Sequence, residues 1–378
     1  MKRKLISIAV LAALAISPVL AIGFGYHVIE AKAELDFANG IFPLSVDYQF
    51  NFPVPDIVEG SSTEFAFRLN NGLDFRTLRQ DPDTGSFYAL TGGAGYPQDY
   101  MTVFDEFNLF YNQGFVDDHI TIGLAITGRF ENSYERLTFL RDGINEGLFW
   151  DDEGNERFSG SSFTGAPELK GNRSVFQTYI SALFEADYLD DRITRRDGFR
   201  FSSYFRITGP WMLLNDKSAD FIYSSNTVDL AVSFLSFERE SGKSWFSIVF
   251  DNSTTYRYIM GSKVPVYIQG GNVWDDIAAP NTQHVITNKS SLTFYGPQLT
   301  VDTYPALSVF LNIGWSFGKA LNSTDSARYN EFVIVYGAEA RLMLFNIAQL
   351  YWQWGYVTNP VFNEEGGLVS RIGFTLAL

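Results

Sequence analysis

The chain has 378 residues, no cysteine, three histidines and a formal net charge of −15. That balance excludes a basic nucleic-acid surface and docking on anionic lipid, and the missing cysteine excludes disulfides, thiolate metal sites and a lipid-modified anchor. The chain is rich in aromatics, with 35 Phe and 20 Tyr, yet after residue 22 no stretch reaches the ~18 apolar residues of a spanning helix.

The first element is an export signal over residues 1–21. Lys2, Arg3 and Lys4 form a basic leader and Leu5 to Ile16 an apolar stretch. Val19 and Ala21 occupy the −3 and −1 positions of a small-residue cleavage site. Cleavage there leaves 357 residues and, with three positive charges removed, a net charge of −18. Residues 22–378 then read as one domain whose dominant pattern is alternation. Ile29, Ala31, Ala33, Leu35 and Phe37 alternate with Glu30, Lys32, Glu34 and Asp36. Leu44, Val46, Tyr48, Phe50 and Phe52 alternate with Ser45, Asp47, Gln49 and Asn51. Later, Leu307, Val309, Leu311, Ile313, Trp315 and Phe317 are separated by Ser308, Asn312, Gly314 and Ser316, among others. Phe332, Ile334, Tyr336, Ala338, Ala340 and Leu342 are interleaved with residues that include Glu331, Glu339 and Arg341. Successive strand side chains point to opposite faces, so each segment carries one apolar and one polar or mixed face.

Fourteen such segments are expected, at 25–37, 42–53, 63–78, 101–112, 119–130, 173–188, 199–209, 226–238, 244–256, 284–295, 306–318, 330–344, 348–358 and 368–378. They exceed the ~5–6 residues of a usual globular strand and match the ~9–11 that cross a bilayer at a tilt, with overhang. Connections alternate in length. Those at 112–118, 189–198, 239–243 and 345–347 are short, while 79–100, 131–172, 210–225, 257–283 and 319–329 are mostly much longer. The first outer connection, Ala38–Ile41, is short. Short turns on one side and long loops on the other are the asymmetry of a membrane barrel, and an even count puts both chain ends on the short-turn side. A further hairpin around Lys263–Gln269 would raise the count, so 12 to 16 strands are compatible with the pattern. In lipid every backbone group must be paired within the protein, so spanning strands have to close on themselves. The polar face is built of Ser, Thr, Asn, Gln and Gly with scattered charges of both signs, unlike the Lys- and Glu-rich face of a soluble sandwich or solenoid. The expected fold is all-β, a transmembrane antiparallel barrel of about fourteen strands.

On these strands and this loop asymmetry the chain resembles the bacterial outer-membrane β-barrel proteins, porins and related channels, over all of 22–378. The resemblance is one of pattern rather than motif. It implies residence in the outer membrane of a didermic bacterium after Sec-type export, contact with outer-membrane lipid and insertion by the outer-membrane assembly machinery. It implies passive diffusion of small solutes or ions without a cofactor; the acidic charge speaks against nucleic acid and adds a preference for cations, and three histidines outside any nucleophile motif give catalysis a poor case. The alternatives are a transporter for a hydrophobic or specific substrate, a surface-displayed adhesin-type barrel and, behind these, a barrel hydrolase. Barrels of this class usually end on an aromatic residue. Here the last strand has the outward register Ile372, Phe374, Leu376 and Leu378 and ends on Leu378. A fourteen-stranded barrel is also similar to fatty-acid-type transporters, which carry a plug before the first strand. In this sequence the first strand begins beside the cleavage site, and a monomeric open channel fits better.

The candidate functional residues are the charges of the polar face. Glu30, Glu34, Asp36, Asp47, Glu64, Asp74, Glu106, Glu185, Glu331 and Glu339 are expected to face the lumen, as are Lys32, Arg68, Arg76, Arg129, Arg173, Arg200, Arg206, Arg341 and Arg371. Opposed charges on a pore wall set ion selectivity; the same residues could instead pair into a network that fills the lumen. The width of a fourteen-stranded barrel favours solvated wall charges. The loop 131–172 holds nine acids against four bases, with apolar Leu148, Phe149 and Trp150. It reads as a solvated outer loop, with an inward lid as the alternative and only a faint calcium-loop pattern at Asp151–Glu156. His119 is expected to face the lumen near the rim. Like His27 and His284 it lies in no nucleophile motif. Trp352, Trp354 and Tyr356 are expected on the lipid-facing side.

Overall fold

The computed structural model describes residues 26–36, 44–80, 87–91, 100–135, 174–192, 195–209, 211–212, 219–238, 244–269, 282–299, 303–321, 328–345, 347–358 and 367–377. The signal read at 1–21, the acidic loop residues 136–172 and the terminal Leu378 lie outside them.

Fifteen strands follow in order: β1 (Tyr26–Asp36), β2 (Leu44–Phe52), β3 (Thr63–Gln80), β4 (Phe87–Thr91), β5 (Tyr100–Phe115), β6 (Ile120–Glu135), β7 (Ser174–Arg192), β8 (Arg195–Thr208), β9 (Asp220–Glu238), β10 (Ser244–Lys263), β11 (Thr282–Tyr295), β12 (Tyr304–Ala320), β13 (Arg328–Leu344), β14 (Ala348–Val357) and β15 (Gly367–Ala377). A single helical turn, α1 (Val266–Gln269), follows β10. Strands adjacent in the chain pair antiparallel, except that β3 pairs with β5 as well as with the short β4. Because β2 pairs with β3 and β1 pairs with β15, the pairing returns to its start. The result is a closed ring of fourteen strands, with β4 appended to the outer end of β3.

Every one of the fourteen expected segments holds one of these strands, and β4 is an addition within 79–100. Several strands run further than expected. The loop read from 131 begins only after β6 ends at Glu135, the one read from 257 only after β10 ends at Lys263, and β9 starts at Asp220 rather than 226. These ends carry lumen-facing Glu131, Arg257, Ile259 and Phe221, all buried, so inward packing holds them in the sheet. In place of a hairpin at Lys263–Gln269 there is the turn α1. Between Ile248 and Val249 the β9–β10 register slips so that Phe234 has no opposite residue, a bulge of the kind that bends a strand.

Alternation resolves into two faces. On β12, Leu307, Val309 and Leu311 are exposed outward while Ser308, Asn312 and Ser316 are buried toward the interior. Phe107 and Leu109 on β5, Ile122, Leu124 and Ile126 on β6, and Tyr336, Trp352, Tyr356 and Phe374 extend the outward apolar belt. At the short-turn end, the turn between β5 and β6 holds Val116, Asp117 and Asp118 at positive φ of 54° to 65°. Asp118 Oδ1 accepts from the Ser62 N–H at 2.6 Å and the Ser62 hydroxyl at 3.0 Å, which ties this turn to the one entering β3.

The two faces of β12 give a direct test of register. Leu311 is 44% exposed and Asn312 only 9%. Arginine on the lipid face at the bilayer midplane costs roughly 2–4 kcal/mol, whereas lumen changes tune selectivity. Leu311→Arg is therefore expected to impair folding into vesicles, and Asn312→Arg to fold and alter conductance. Gel mobility of boiled against unboiled samples reads the folded fraction; greater damage from Asn312→Arg would invert the two faces.

Candidate functional site: the lumen and the segment that crosses it

After β10 the chain turns inward rather than out into solvent. Val264 and Ile268 are buried against Phe221 of β9, Ile259 of β10, Ala219 and Leu321, with Tyr223 packed alongside. The segment is held locally by Gln269, whose Nε2 donates to the Val264 carbonyl at 2.6 Å, and by Arg257, whose Nη2 donates to the Gln269 carbonyl at 2.9 Å. Tyr267 reaches across the barrel. Its hydroxyl donates to Gln177 Oε1 on β7 at 2.7 Å, and its ring lies 4.1 Å from the Arg129 guanidinium on β6, whose other face lies 4.2 Å from the Phe104 ring on β5. Such stacking of a cation between rings is attractive and strengthens as water is excluded. Burial pushes the Tyr267 phenol up, against the opposite pull of Arg129 and Arg206, so it remains a neutral donor. The 264–269 segment is thus a chord from the β9–β10 wall to the β5–β7 wall.

The chord docks on a lattice of paired charges. Arg129 Nη1 meets Glu106 Oε2 at 3.0 Å, and its Nη2 meets Glu131 Oε1 at 2.8 Å. Arg76 Nη2 reaches the same Glu131 oxygen at 3.0 Å, and its Nε reaches Asp74 at 2.9 Å. Tyr179 donates to Glu106 Oε2 at 2.9 Å, and Arg206 lies 4.0 Å over the Tyr179 ring while Nη2 donates to the Tyr204 oxygen at 2.8 Å. Arg76 and Glu131 side chains are 0% and 1% exposed. The width argument for solvated wall charges is corrected here: the chord covers this level, and charges removed from water persist only when paired.

Toward the short-turn end the lumen opens into two cavities. One, of about 410 Å3, is lined by Gln49, Glu64, Arg68, Glu106, Asn112 and Arg206, among others. The other, of about 400 Å3, lies against β8–β15 and is lined by five bases, Arg196, Arg200, Lys289, Arg341 and Arg371, and three acids, Asp229, Asp251 and Glu339. Ion pairs recur here. Arg196 meets Asp251 at 2.7 Å and Arg200 meets Asp229 at 3.0 Å. Arg341 and Gln353 both donate to Glu339, and Arg371 Nε donates to Gln353 Oε1 at 2.6 Å. Arg68 pairs with Asp47, and Glu64 accepts from Gln49 and Asn112, each at 2.9 Å.

Of the charges expected inside, Asp47, Glu64, Arg68, Asp74, Arg76, Glu106, Arg129, Glu185, Arg200, Arg206, Glu331, Glu339, Arg341 and Arg371 lie in lumen-facing register. For Glu30, Lys32, Glu34 and Asp36 the backbone register sets them opposite Ala377, Thr375, Gly373 and Arg371; their side chains, with that of His27, and Arg173 lie outside the described residues. His119 departs from expectation. It sits in the exposed turn before β6 and stacks at 4.6 Å on Tyr188, an outward residue, because the turn ends the alternation one residue before Ile120. His284 belongs to an outward aromatic row with Tyr258 and Phe317. Tyr267, Gln177, Tyr179 and Phe104 were not singled out by sequence. The available signal was the apolar run Val264-Pro-Val-Tyr-Ile268 in what reads as a water-exposed loop. Among the described residues no group of acidic and histidine side chains is arranged to hold a metal.

No protein-family model matches the sequence, and no curated protein does. Among solved structures, the chain is similar to a bacterial polysaccharide outer membrane secretin, at 8% identity over 94% of this chain and 99% of that one, with a TM-score of 0.40. It is similar to BamA from Haemophilus ducreyi, at 11% identity over 93% and 70%, with a TM-score of 0.45, and to OprB from Pseudomonas putida, at 9% identity over 94% and 94%, with a TM-score of 0.33. These similarities lend the chain no substrate and no partner. Its own closed ring, outward apolar belt and charged interior make it a transmembrane β-barrel of the bacterial outer-membrane kind.

Proposed function

We propose that the protein is a narrow outer-membrane channel for passive diffusion of small polar solutes, with a modest preference for cations. The observation that carries the reading is the polar lumen, in which two cavities of about 400 Å3 lie beneath a chord that narrows the passage. Paired charges on the wall keep the passage hydrated without presenting one dominant sign. The net charge, −18 once the export signal is removed, draws cations toward the mouths, and salt screens that field over ~10 Å at 0.1 M. The five bases against three acids on the β8–β15 wall oppose it, which is why the preference is modest.

Reversal potentials of the purified protein in a salt gradient are expected to favour the cation, more so at low salt. Replacing Lys289 and Arg371 by glutamine should strengthen that preference. Anion selectivity in the parent protein would mean that the basic wall, not the net charge, sets the field. Absence of conductance would remove the channel reading in favour of a closed, surface-displayed barrel.

A further inference from the structure

The outward face of β8–β11 carries a group of uncharged polar side chains within the apolar belt. On β10 the outward residues run Ile248, Phe250, Asn252, Thr254, Tyr256, Tyr258 and Met260, so the two polar ones sit midway along the span. Their neighbours on β11 are Ser290, opposite Asn252, and Asn288, opposite Thr254. The four side chains close a ring of hydrogen bonds. Asn252 Nδ2 donates to Ser290 Oγ at 2.8 Å, Ser290 to Asn288 Oδ1 at 3.1 Å, Asn288 Nδ2 to Thr254 Oγ1 at 2.7 Å, and Thr254 back to Asn252 Oδ1 at 3.3 Å. A second group adjoins it, where Ser203 of β8 donates to Asn226 Oδ1 at 2.9 Å and Asn226 Nδ2 to Ser224 Oγ at 3.4 Å. Exposed Val228 and Leu230 of β9, opposite Thr254 and Asn252, and Leu307, Val309 and Leu311 of β12 bound the ring on either side, with Phe199 and Phe205 of β8 beyond the second group.

Each asparagine amide spends one N–H within its group and keeps another. Lipid tails offer that second N–H no acceptor. In the bilayer, such groups are satisfied by polar side chains of another protein. We propose that this patch is the contact between two copies of the chain, joined face to face about an axis normal to the membrane. Three features favour a second copy as the occupant. The patch is neutral, so it does not repel itself as a charged surface would. Each amide is both donor and acceptor, so like can pair with like, as an isologous interface requires. Two copies inserted in the same direction also hold the patch at the same depth.

The cysteine-free chain makes the test direct. Single substitutions Ser290→Cys in the ring and Ile126→Cys, outward on β6 and 55% exposed, are placed in dilute lipid vesicles and oxidised with copper phenanthroline. Ser290→Cys is expected to give a band at twice the monomer mass and Ile126→Cys none. Equal cross-linking at both positions, none at Ser290, or capture of a different envelope protein at Ser290 in intact cells would overturn the proposal. Asn252→Leu combined with Asn288→Leu is expected to leave a folded monomer by light scattering in detergent where the parent is a dimer. A monomeric parent would also overturn it.

Discussion

Arg129→Ala is expected to destabilise the barrel by about 3–5 kcal/mol, the usual cost of removing one partner from a buried pair and leaving the other charge uncompensated. Arg129 binds both Glu106 and Glu131 and is stacked between Phe104 and Tyr267, so its loss leaves Glu131 to Arg76 alone and Glu106 to the Tyr179 hydroxyl, and undocks the chord. Arg68→Ala provides the contrast. The Arg68 side chain is 47% exposed beside Asp47, and exposed pairs contribute roughly 0–1 kcal/mol. Urea unfolding in detergent, followed by tryptophan fluorescence, separates the two. Equal effects would mean that the lattice around Arg129 is as wet as the lower wall.

Tyr267→Ala is expected to raise single-channel conductance severalfold while leaving folding close to that of the parent. The side chain removes volume from the lumen at one level and is held there by one hydrogen bond to Gln177 and one stacked cation. Pore width sets the barrier for a hydrated solute, so deleting the ring should widen the lumen at the level of the chord. Tyr267→Phe keeps the ring and loses only the hydroxyl; its conductance should stay near the parent value, with larger open-channel noise. An unchanged conductance in Tyr267→Ala would show that the chord does not limit flow.

The barrel was legible because its two faces obey a period of two. Ser308, Asn312 and Ser316 between Leu307, Val309, Leu311 and Trp315 suffice to assign inside and outside on β12, and the turns at 239–243 and 345–347 separate neighbouring strands. What escaped the pattern depends on contacts between distant residues. Nothing near Tyr267 in sequence announces Arg129 or Gln177, which lie 138 and 90 positions away. The choice between solvated and paired charges was likewise invisible, because strand periodicity assigns a face but not what covers it. The polar outward ring escaped for the opposite reason: Asn252, Thr254, Asn288 and Ser290 keep perfect alternation with Asp251, Ser253, Lys289 and Ser291, so both faces read as polar there and neither stood out.

The pairing of β1 with β15 sets the order in which the molecule can be assembled. Glu30 finds its register opposite Ala377, so the closing seam joins the first and last strands of the ring and cannot form until β15 has been delivered. Every other pairing in the ring joins strands that are consecutive around it, the widest separation being that between β6 and β7, and can zip as the chain arrives. Until the seam forms, β1 and β15 each present an open strand edge, the feature that templates aggregation, and the longest loop closure falls to the final step. A nascent barrel of this topology therefore needs protection at two edges for the whole of its transit, and truncation at the C-terminus should be far more damaging than deletion of an equal length from an outer loop.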